Sequence, residues 1–582
     1  MNTEYLRSLR DTDSFDVSRE ILDYMRGHES ASVSGMLSFA AVTAILYIVD
    51  GLDLSSQSVT GIIESTIEEE RTCYYLKDIA RRHEQFIMEK ANIFPKDKLL
   101  ATLLYADYHD SDQCLAFDTP DTVSDLVFAL MDIDKGDKVA DFGAGRGNFL
   151  ISSYLKCPDA CYTGIERNAE ALTYLCIRKL VADLPMDVRQ TDLFLQAGDY
   201  AKYDKIFSNC GFGLKIGGLA KSISQNPALN ALFSKLSGSA SGEWAYNLAM
   251  IQSLTENGRA IGIMGNGATF RDSDWALRKY FIDRRYIETV IILPERLFSN
   301  TGISTAMVVF SRDNRTINMI DATDIYTVGR RSNYLSKENI ESILSLLGTS
   351  SKQSASVPYE KVISEDYYLS PRRYVDIAPE IKSGVLLGDL VSEIRRGAQI
   401  RADRLDGLVS AVETEIQYLP LQSVEDGFVA ERLPFLKSIE PNWDKYCLED
   451  RDIVLSRQAT PIKTAVVEVP EGKTIVCSHN LYIIRVDESQ ANPYYIKAFF
   501  ESVLGQALLK NISVGSALQT ISLRELRSIK IPLIPLEEQK RFEQHYRAIM
   551  DDVKLLQLKV CKSKSDLRDL INRYNEEVSK WY

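Results

Sequence analysis

A chain of 582 residues with 45% hydrophobic and 26% charged side chains, 31 Gly and 17 Pro has the profile of an ordinary globular protein of about three or four domains. This excludes a disordered tail, a collagen-like fibre and a single small binding module. A formal net charge of −13 argues against coating of nucleic acid by bulk electrostatics, but residues 381–582 hold 28 basic and 29 acidic side chains, so basic patches in this near-neutral third can still meet DNA.

Residues 1–116 read as a helical N-terminal domain, with apolar side chains clustered at Ile21–Met25, Leu37–Val49, Ile62–Ile67 and Leu99–Tyr105 and little strand alternation. The longest apolar run, roughly 36–49, is shorter than the ~20 residues of a membrane span, and Met1-Asn2-Thr3-Glu4 lacks the basic-then-apolar order of a signal peptide. Nine scattered cysteines without a Cys-x-x-Cys pair, and only five histidines, argue against a disulfide framework or a structural zinc site. A cytoplasmic location is expected, with no membrane partner and no metal.

After Thr119-Pro120 and a helix over 121–131, strands alternate with helices: Lys138–Asp141, Tyr162–Glu166, Asp187–Thr191, Lys205–Ser208, Ala260–Gly265, Ile287–Leu293 and Ala306–Phe310. Seven strands in this pattern predict a Rossmann-like, doubly wound α/β domain over 117–344. The last two strands are separated by a loop too short for a crossover helix, so they pair as an antiparallel hairpin. Residues 345–385 read as a linker and tail of this unit, and 386–536 as a smaller α+β domain with strands at Asp452–Ser456, Thr464–Val469 and Leu481–Val486. Over 537–582, apolar residues at 542, 549, 553, 556, 560, 567, 570 and 574 predict a long coiled-coil helix.

Asp141-Phe142-Gly143-Ala144-Gly145-Arg146-Gly147 closes the first strand and opens a helix. Glycines there let the backbone pass close beneath a ligand, and the helix N-terminus offers N–H groups to an anionic group. The dinucleotide fingerprint wants its third glycine one position later, where this chain has Asn148. Glu166 ends the second strand 19 residues after Gly147, placed to accept ribose hydroxyls, and Asp192 follows the third, placed to accept from an adenine amine. With Asp141 they give three acceptors at successive strand ends, converging where open parallel sheets bind ligands; the plainer alternative is that the carboxylates only cap helices.

On these features the chain resembles the modification (methyltransferase) subunit of type I restriction systems. The resemblance runs over about residues 1–380, through Thr119-Pro120, the glycine turn, Ile165-Glu166-Arg167-Asn168, Gly258-Arg259-Ala260, Gly265-Asn266-Gly267-Ala268-Thr269-Phe270, Leu293-Pro294-Glu295-Arg296-Leu297-Phe298, Thr301-Gly302-Ile303-Ser304-Thr305 and Leu369-Ser370-Pro371-Arg372-Arg373-Tyr374. It implies S-adenosylmethionine as cofactor, held by Asp141, Gly143, Gly145, Gly147, Glu166 and Asp192, and methyl transfer to adenine N6 in DNA.

After the fourth strand that family carries Asn-Pro-Pro-Phe or Tyr, where this chain has Asn209-Cys210-Gly211-Phe212. An exocyclic amine is a poor nucleophile because its lone pair is delocalised into the ring. An Asn amide oxygen and the next backbone carbonyl accept its hydrogens, and the aromatic ring stacks on the flipped base. The resemblance therefore makes Asn209 and Phe212 the catalytic residues, with Cys210 a small filler rather than a nucleophile. Without the prolines the loop loses rigidity, and a displaced acceptor costs ~100-fold in rate. Restoring Pro at 210 and 211 is expected to raise the rate if rigidity is the only defect.

From about Leu386 onward the chain resembles the DNA specificity subunit of the same systems. The matching stretches are Asp452-Ile453-Val454-Leu455-Ser456-Arg457-Gln458-Ala459-Thr460, Ser513-Val514-Gly515-Ser516-Ala517-Leu518-Gln519 and Ile531-Pro532-Leu533-Ile534-Pro535. The length fits one target recognition domain and one spacer helix, where full specificity subunits have two of each. Arg457, Gln458 and Lys463, with His479 and Asn480, are candidate DNA contacts on loops. Double-stranded DNA is then the expected partner, with homodimerisation through the terminal helix. No Gly-x-x-x-x-Gly-Lys-Ser/Thr occurs, so cleavage would need a separate restriction subunit. The rival expectation is a DNA-binding sensor that keeps the cofactor fold and has lost catalysis at Cys210-Gly211.

Overall fold

The helix Val33–Val49 is apolar on every side because it is enclosed on every side. It packs against Phe15–His28, Glu70–Arg82, Lys96–Tyr105 and Ala169–Val181. The computed structural model describes residues 1–28, 33–105, 118–195, 202–298, 302, 304–330, 332–375, 381, 383–439, 441–458, 462–514 and 520–578. The expected helical stretch beyond 105, Thr301, Ile303, Ala459-Thr460 and Gly515–Gln519 lie outside the described residues. The chain divides into two compact units, Met1–Asp376 and Ile377–Tyr582.

In the first unit all seven expected strands are present: β1 (Lys138–Phe142), β2 (Cys161–Glu166), β3 (Met186–Gln190), β4 (Tyr203–Ser208), β5 (Leu254–Gly265), β6 (Ile287–Ile292) and β7 (Thr305–Phe310). The expected count of seven is corrected to nine by β8 (Thr316–Asp321) and β9 (Ser354–Pro358), in the order β3-β2-β1-β4-β5-β7-β6-β8-β9. β9 falls where a linker was expected because its Ser- and Pro-rich sequence carries no strand signal. Its backbone is recruited by the antiparallel ladder with Thr316–Ile320, and its Pro358 sits at the end of an edge strand, where a missing N–H is tolerated. The following helix Tyr359–Ser364 buries Tyr359 and Val362 against the same core.

β6 and β7 form the antiparallel hairpin, and β1 pairs in parallel with both β2 and β4. The strand order reverses on either side of β1, which leaves a crevice at the C-terminal ends of β1 and β4. One apolar core joins the N-terminal helices to one face of the sheet, and a second fills the other face around Trp244, Phe281 and Phe310. The helix after β2, Ala169–Val181, starts at Asn168, whose side chain accepts from the N–H groups of Glu170 and Ala171. Such a cap is worth about 1 kcal/mol and fixes where the chain leaves the crevice.

In the second unit, Val391–Arg396, Leu481–Val486, Ile453–Ser456 and Thr464–Val466 form an antiparallel sheet. Val409–Ser410, Phe435–Leu436, Ile416–Leu419 and Thr474–Cys477 form a second, mixed one. Val385–Leu386 pairs with Lys530–Ile531, tying the start of this α+β region to its end. The helix Leu536–Val578 has two parts. Its first turns dock: buried Gln539 accepts from the Asn492 N–H (2.9 Å), Glu543 receives Arg451 (2.6 Å), and Tyr546 accepts from Lys497 (2.7 Å). Phe542 belongs to this docked part, stacked on Tyr546. Farther on, Ile549, Leu556, Leu567 and Tyr574 are more than half exposed, so the coiled-coil expectation finds its apolar stripe without a mate among the described residues.

Candidate active site

β1 runs into a turn whose Gly143, Gly145 and Gly147 all have positive φ (90°, 53° and 82°), a conformation that other L-residues rarely adopt. The Gly143 and Ala144 N–H groups donate to the Ile165 carbonyl (2.8 and 3.0 Å), fastening the turn to β2. The turn floors a cavity of about 230 Å³ that brings together Asp141, Gly143, Gly145, Glu166, Asp192 and Asn209. Gly147 is placed differently: a Cβ there would strike Leu175, so it serves helix packing rather than the cavity wall.

The three carboxylates sit in different electrostatic surroundings. Asp141 is buried, and among the described residues its Oδ1 has no hydrogen-bond partner. Burial, and secondarily the Glu166 charge, raise its pKa well above the usual carboxylate range. Glu166 accepts the Gly145 N–H at Oε2 (2.9 Å) and the Asn168 N–H at Oε1 (2.6 Å). Asp192 accepts the Phe194 N–H at Oδ1 (3.1 Å) and the Ser222 hydroxyl at Oδ2 (2.8 Å), with Arg167 at 3.6 Å, which leaves acceptor capacity for an amine.

Several contributors were not read from the sequence. Asp118, Thr119, Arg146 and Tyr246 line the same cavity; Arg146 pairs with Asp118 and lies over Tyr174. Arg178 is buried among neutral acceptors, donating to the Leu104 carbonyl (2.6 Å), the Arg146 carbonyl (2.7 Å) and Asn148 Oδ1 (2.7 Å). It thereby binds the N-terminal helices to the glycine turn. The signal in the sequence was an arginine in the helical stripe Tyr174, Arg178, Val181, where the period calls for an apolar residue.

Asn209 follows β4 and is buried, its Nδ2 donating to Thr119 Oγ1 (3.1 Å). Phe212 lies outside the cavity wall, edge-on to Phe298 with ring centroids 4.9 Å apart. Burial and the neighbouring Glu243 carboxylate push the Cys210 thiol pKa well up, opposing any nucleophilic role. Gly211 has φ +90°, which a proline ring, fixed near −65°, cannot adopt. The proline-restoring double variant C210P/G211P is therefore expected to lower rather than raise any transfer rate. Comparison of its initial rate with that of wild type checks this, and an increase would show that the loop takes a different shape in turnover.

In the second unit Arg457 and Gln458 leave the strand Ile453–Ser456 beside Asn480 and Thr520. The Arg457 N–H donates to the Asn480 carbonyl (2.8 Å) and Gln458 to Thr520 Oγ1 (2.9 Å). Among the described residues Arg457 Nε and His479 Nδ1 are buried without hydrogen-bond partners, and burial lowers the His479 pKa. Lys463 instead faces Glu425 at 3.9 Å. Arg396, at the end of its strand, adds a further guanidinium beside Tyr482.

The two units match two families. The family model for N-6 DNA methylases matches residues 105–382, and that for the type I restriction modification DNA specificity domain matches residues 415–547. Over these residues the first unit is similar to N-6 DNA methylases and the second to type I restriction modification DNA specificity domains. It is similar to the type I restriction enzyme MpnII methylase subunit of Mycoplasma pneumoniae (24% identical over 291 residues; 45% of this chain, 53% of the relative). It is also similar to the type I restriction enzyme MjaVII methylase subunit of Methanocaldococcus jannaschii (26% over 326 residues; 51% and 55%). The chain spans about half the length of these curated relatives. A solved type I restriction-modification methyltransferase subunit from Streptococcus thermophilus overlays 64% of this chain and 99% of its own, at 17% identity and a TM-score of 0.47. Among the described residues no helix is long and apolar enough to cross a membrane.

Proposed function

We propose that the chain transfers a methyl group from S-adenosylmethionine to adenine N6 in double-stranded DNA, at a sequence read by its C-terminal unit. The convergence of the glycine turn, three strand-end carboxylates and Asn209 on one cavity carries this reading. The cavity fits the cofactor's chemistry. Asp141 Oδ1 is a buried acceptor without a partner among the described residues, suited to a cationic ammonium group, and the positive-φ turn leaves room for close backbone approach. Bound there, the cofactor supplies an electrophilic methyl on a sulfonium. Glu166 would accept the ribose hydroxyls and Asp192 the adenine amine. Asn209, its Nδ2 held by Thr119, would present Oδ1 to the target amine, and the Cys210 carbonyl would take the second hydrogen. Phe212 would stack on the flipped base after leaving Phe298.

Arg457 and Gln458, with Lys463 from the adjoining loop, are proposed as DNA contacts of the recognition domain, the first two grouped at one strand end. Cleavage would fall to a separate restriction subunit, with two copies of this chain pairing through the terminal helix. Transfer of labelled methyl groups to genomic DNA that lacks prior modification tests the reaction. Protein that binds cofactor and DNA yet never transfers would be the sensor instead.

Glu166→Ala is expected to weaken cofactor binding by about 1–3 kcal/mol, the scale for losing a charged acceptor. Because Glu166 also holds the Gly145 and Asn168 N–H groups, Glu166→Gln should lose less. Isothermal titration measures both, and equal affinity of the alanine variant and wild type would remove Glu166 from the site.

A further inference from the structure

Helix Glu243–Ser253 is apolar along most of its length, yet it begins with a carboxylate that is 2% exposed. Glu243 Oε1 accepts the Gly213 N–H at 3.1 Å. Oε2 is buried without a hydrogen-bond partner. Burial raises the pKa of this group. The segment Asn209–Gly213 thus passes directly over the head of this helix. Its exit is fastened there a second time, where the Gly242 N–H donates to the Leu214 carbonyl (2.8 Å) and Lys215 bridges to Ser241.

Two glycines with positive φ, Gly211 (90°) and Gly213 (77°), flank Phe212, so the backbone has little intrinsic preference for its observed path. Something outside the loop must hold it. Ordering a backbone residue costs conformational entropy, which a hydrogen bond from a buried N–H to a carboxyl group can offset.

We infer that Glu243 is the positioning residue of the loop that presents Asn209: by reaching the Gly213 N–H it fixes the path that proline rings would otherwise restrict. The inference deepens the proposed methyl transfer and rests on it for its kinetic readout, but its structural readout does not. It requires reach rather than charge. Glu243→Gln keeps the reach and loses the charge, whereas Glu243→Asp keeps the charge and is one methylene too short for Gly213. Both are small changes at one buried site, so both variants can be purified as full chains and compared.

Two measurements test it. The first is kcat, with KM for S-adenosylmethionine. Glu243→Gln should stay within about threefold of wild type, whereas Glu243→Asp should lose about 100-fold in kcat with KM unchanged, the effect of an acceptor displaced by roughly 1 Å. The second is the rate at which iodoacetamide alkylates Cys210, followed on its peptide by mass spectrometry. It should rise at least about tenfold in Glu243→Asp as the loop opens, and clearly less in Glu243→Gln, where only the loss of the Glu243 charge beside the thiol acts on it. An aspartate variant like wild type in both readouts, or a glutamine variant as damaged as the aspartate one, would overturn the inference. If wild type itself transfers no methyl, the proposed reaction fails, and the alkylation rates alone still decide whether Glu243 holds the loop.

Discussion

Asn209→Ala is expected to abolish methyl transfer, lowering kcat by at least about 100-fold, while the affinity for S-adenosylmethionine changes by less than about twofold. The asymmetry follows from position. Asn209 stands at the end of β4 on the side of the cavity away from Glu166 and Asp192, so its amide would meet the target amine rather than the ribose or adenine of the cofactor. The bond from its Nδ2 to Thr119 Oγ1 at 3.1 Å helps to orient the amide, so Thr119→Val should show a milder loss of the same kind. Single-turnover rates with saturating cofactor, paired with isothermal titration, separate the two effects. An alanine variant that retains transfer would show that the amine is accepted elsewhere and would remove the loop from the reaction. One that loses cofactor binding in parallel would show that Asn209 supports the cavity instead.

Ending the chain at Asp552 is expected to convert a dimer to a monomer and to weaken DNA binding by about 100-fold or more. Ile549, Val553, Leu556, Val560, Leu567, Leu570 and Tyr574 recur at steps of three, four or seven and are between 37% and 67% exposed. Fully burying an exposed side chain of this size contributes about 1.5–3 kcal/mol, and these partly covered ones contribute roughly half of that each. A stripe of seven can therefore offset an association cost of about 4–15 kcal/mol. Antiparallel self-pairing would set two recognition domains at opposite ends of the arm under two-fold symmetry, and such a reader calls for a palindrome interrupted by a spacer of fixed length. Two linked half-site contacts gain about 10²–10⁴ in avidity, and the monomer forfeits this. The cut must fall after the docked turns, since removing Tyr546 or Arg547 would strip partners from Lys497 and Glu468 and damage the recognition domain itself. Light scattering and fluorescence anisotropy on a DNA duplex read the two outcomes. An intact chain that stays monomeric at micromolar concentration would assign the stripe to a different partner, and the palindrome would go with it.

The strands β1 to β7, the turn at Gly143–Gly147 and the strand-end positions of Glu166 and Asp192 were legible in the sequence for local reasons. Buried parallel strands need short apolar runs, a backbone with positive φ needs glycine, and a doubly wound sheet gathers its strand ends at one edge. The docked and free parts of the terminal helix share one apolar period, and so could not be told apart before the contacts of Gln539, Glu543 and Tyr546 were seen.

Tertiary structure alone decided the rest. β9 exists because a neighbouring strand supplies ladder bonds that Ser354–Pro358 does not advertise through its side chains. Arg178 and Glu243 are buried charges whose partners are mainly backbone groups, some distant in the chain: Leu104 lies 74 residues before Arg178 and Gly213 lies 30 before Glu243. Gly211 could have taken either sign of φ, because glycine populates both almost equally. The observed +90° at Gly211 is set in the folded chain, where the neighbouring Gly213 N–H reaches Glu243.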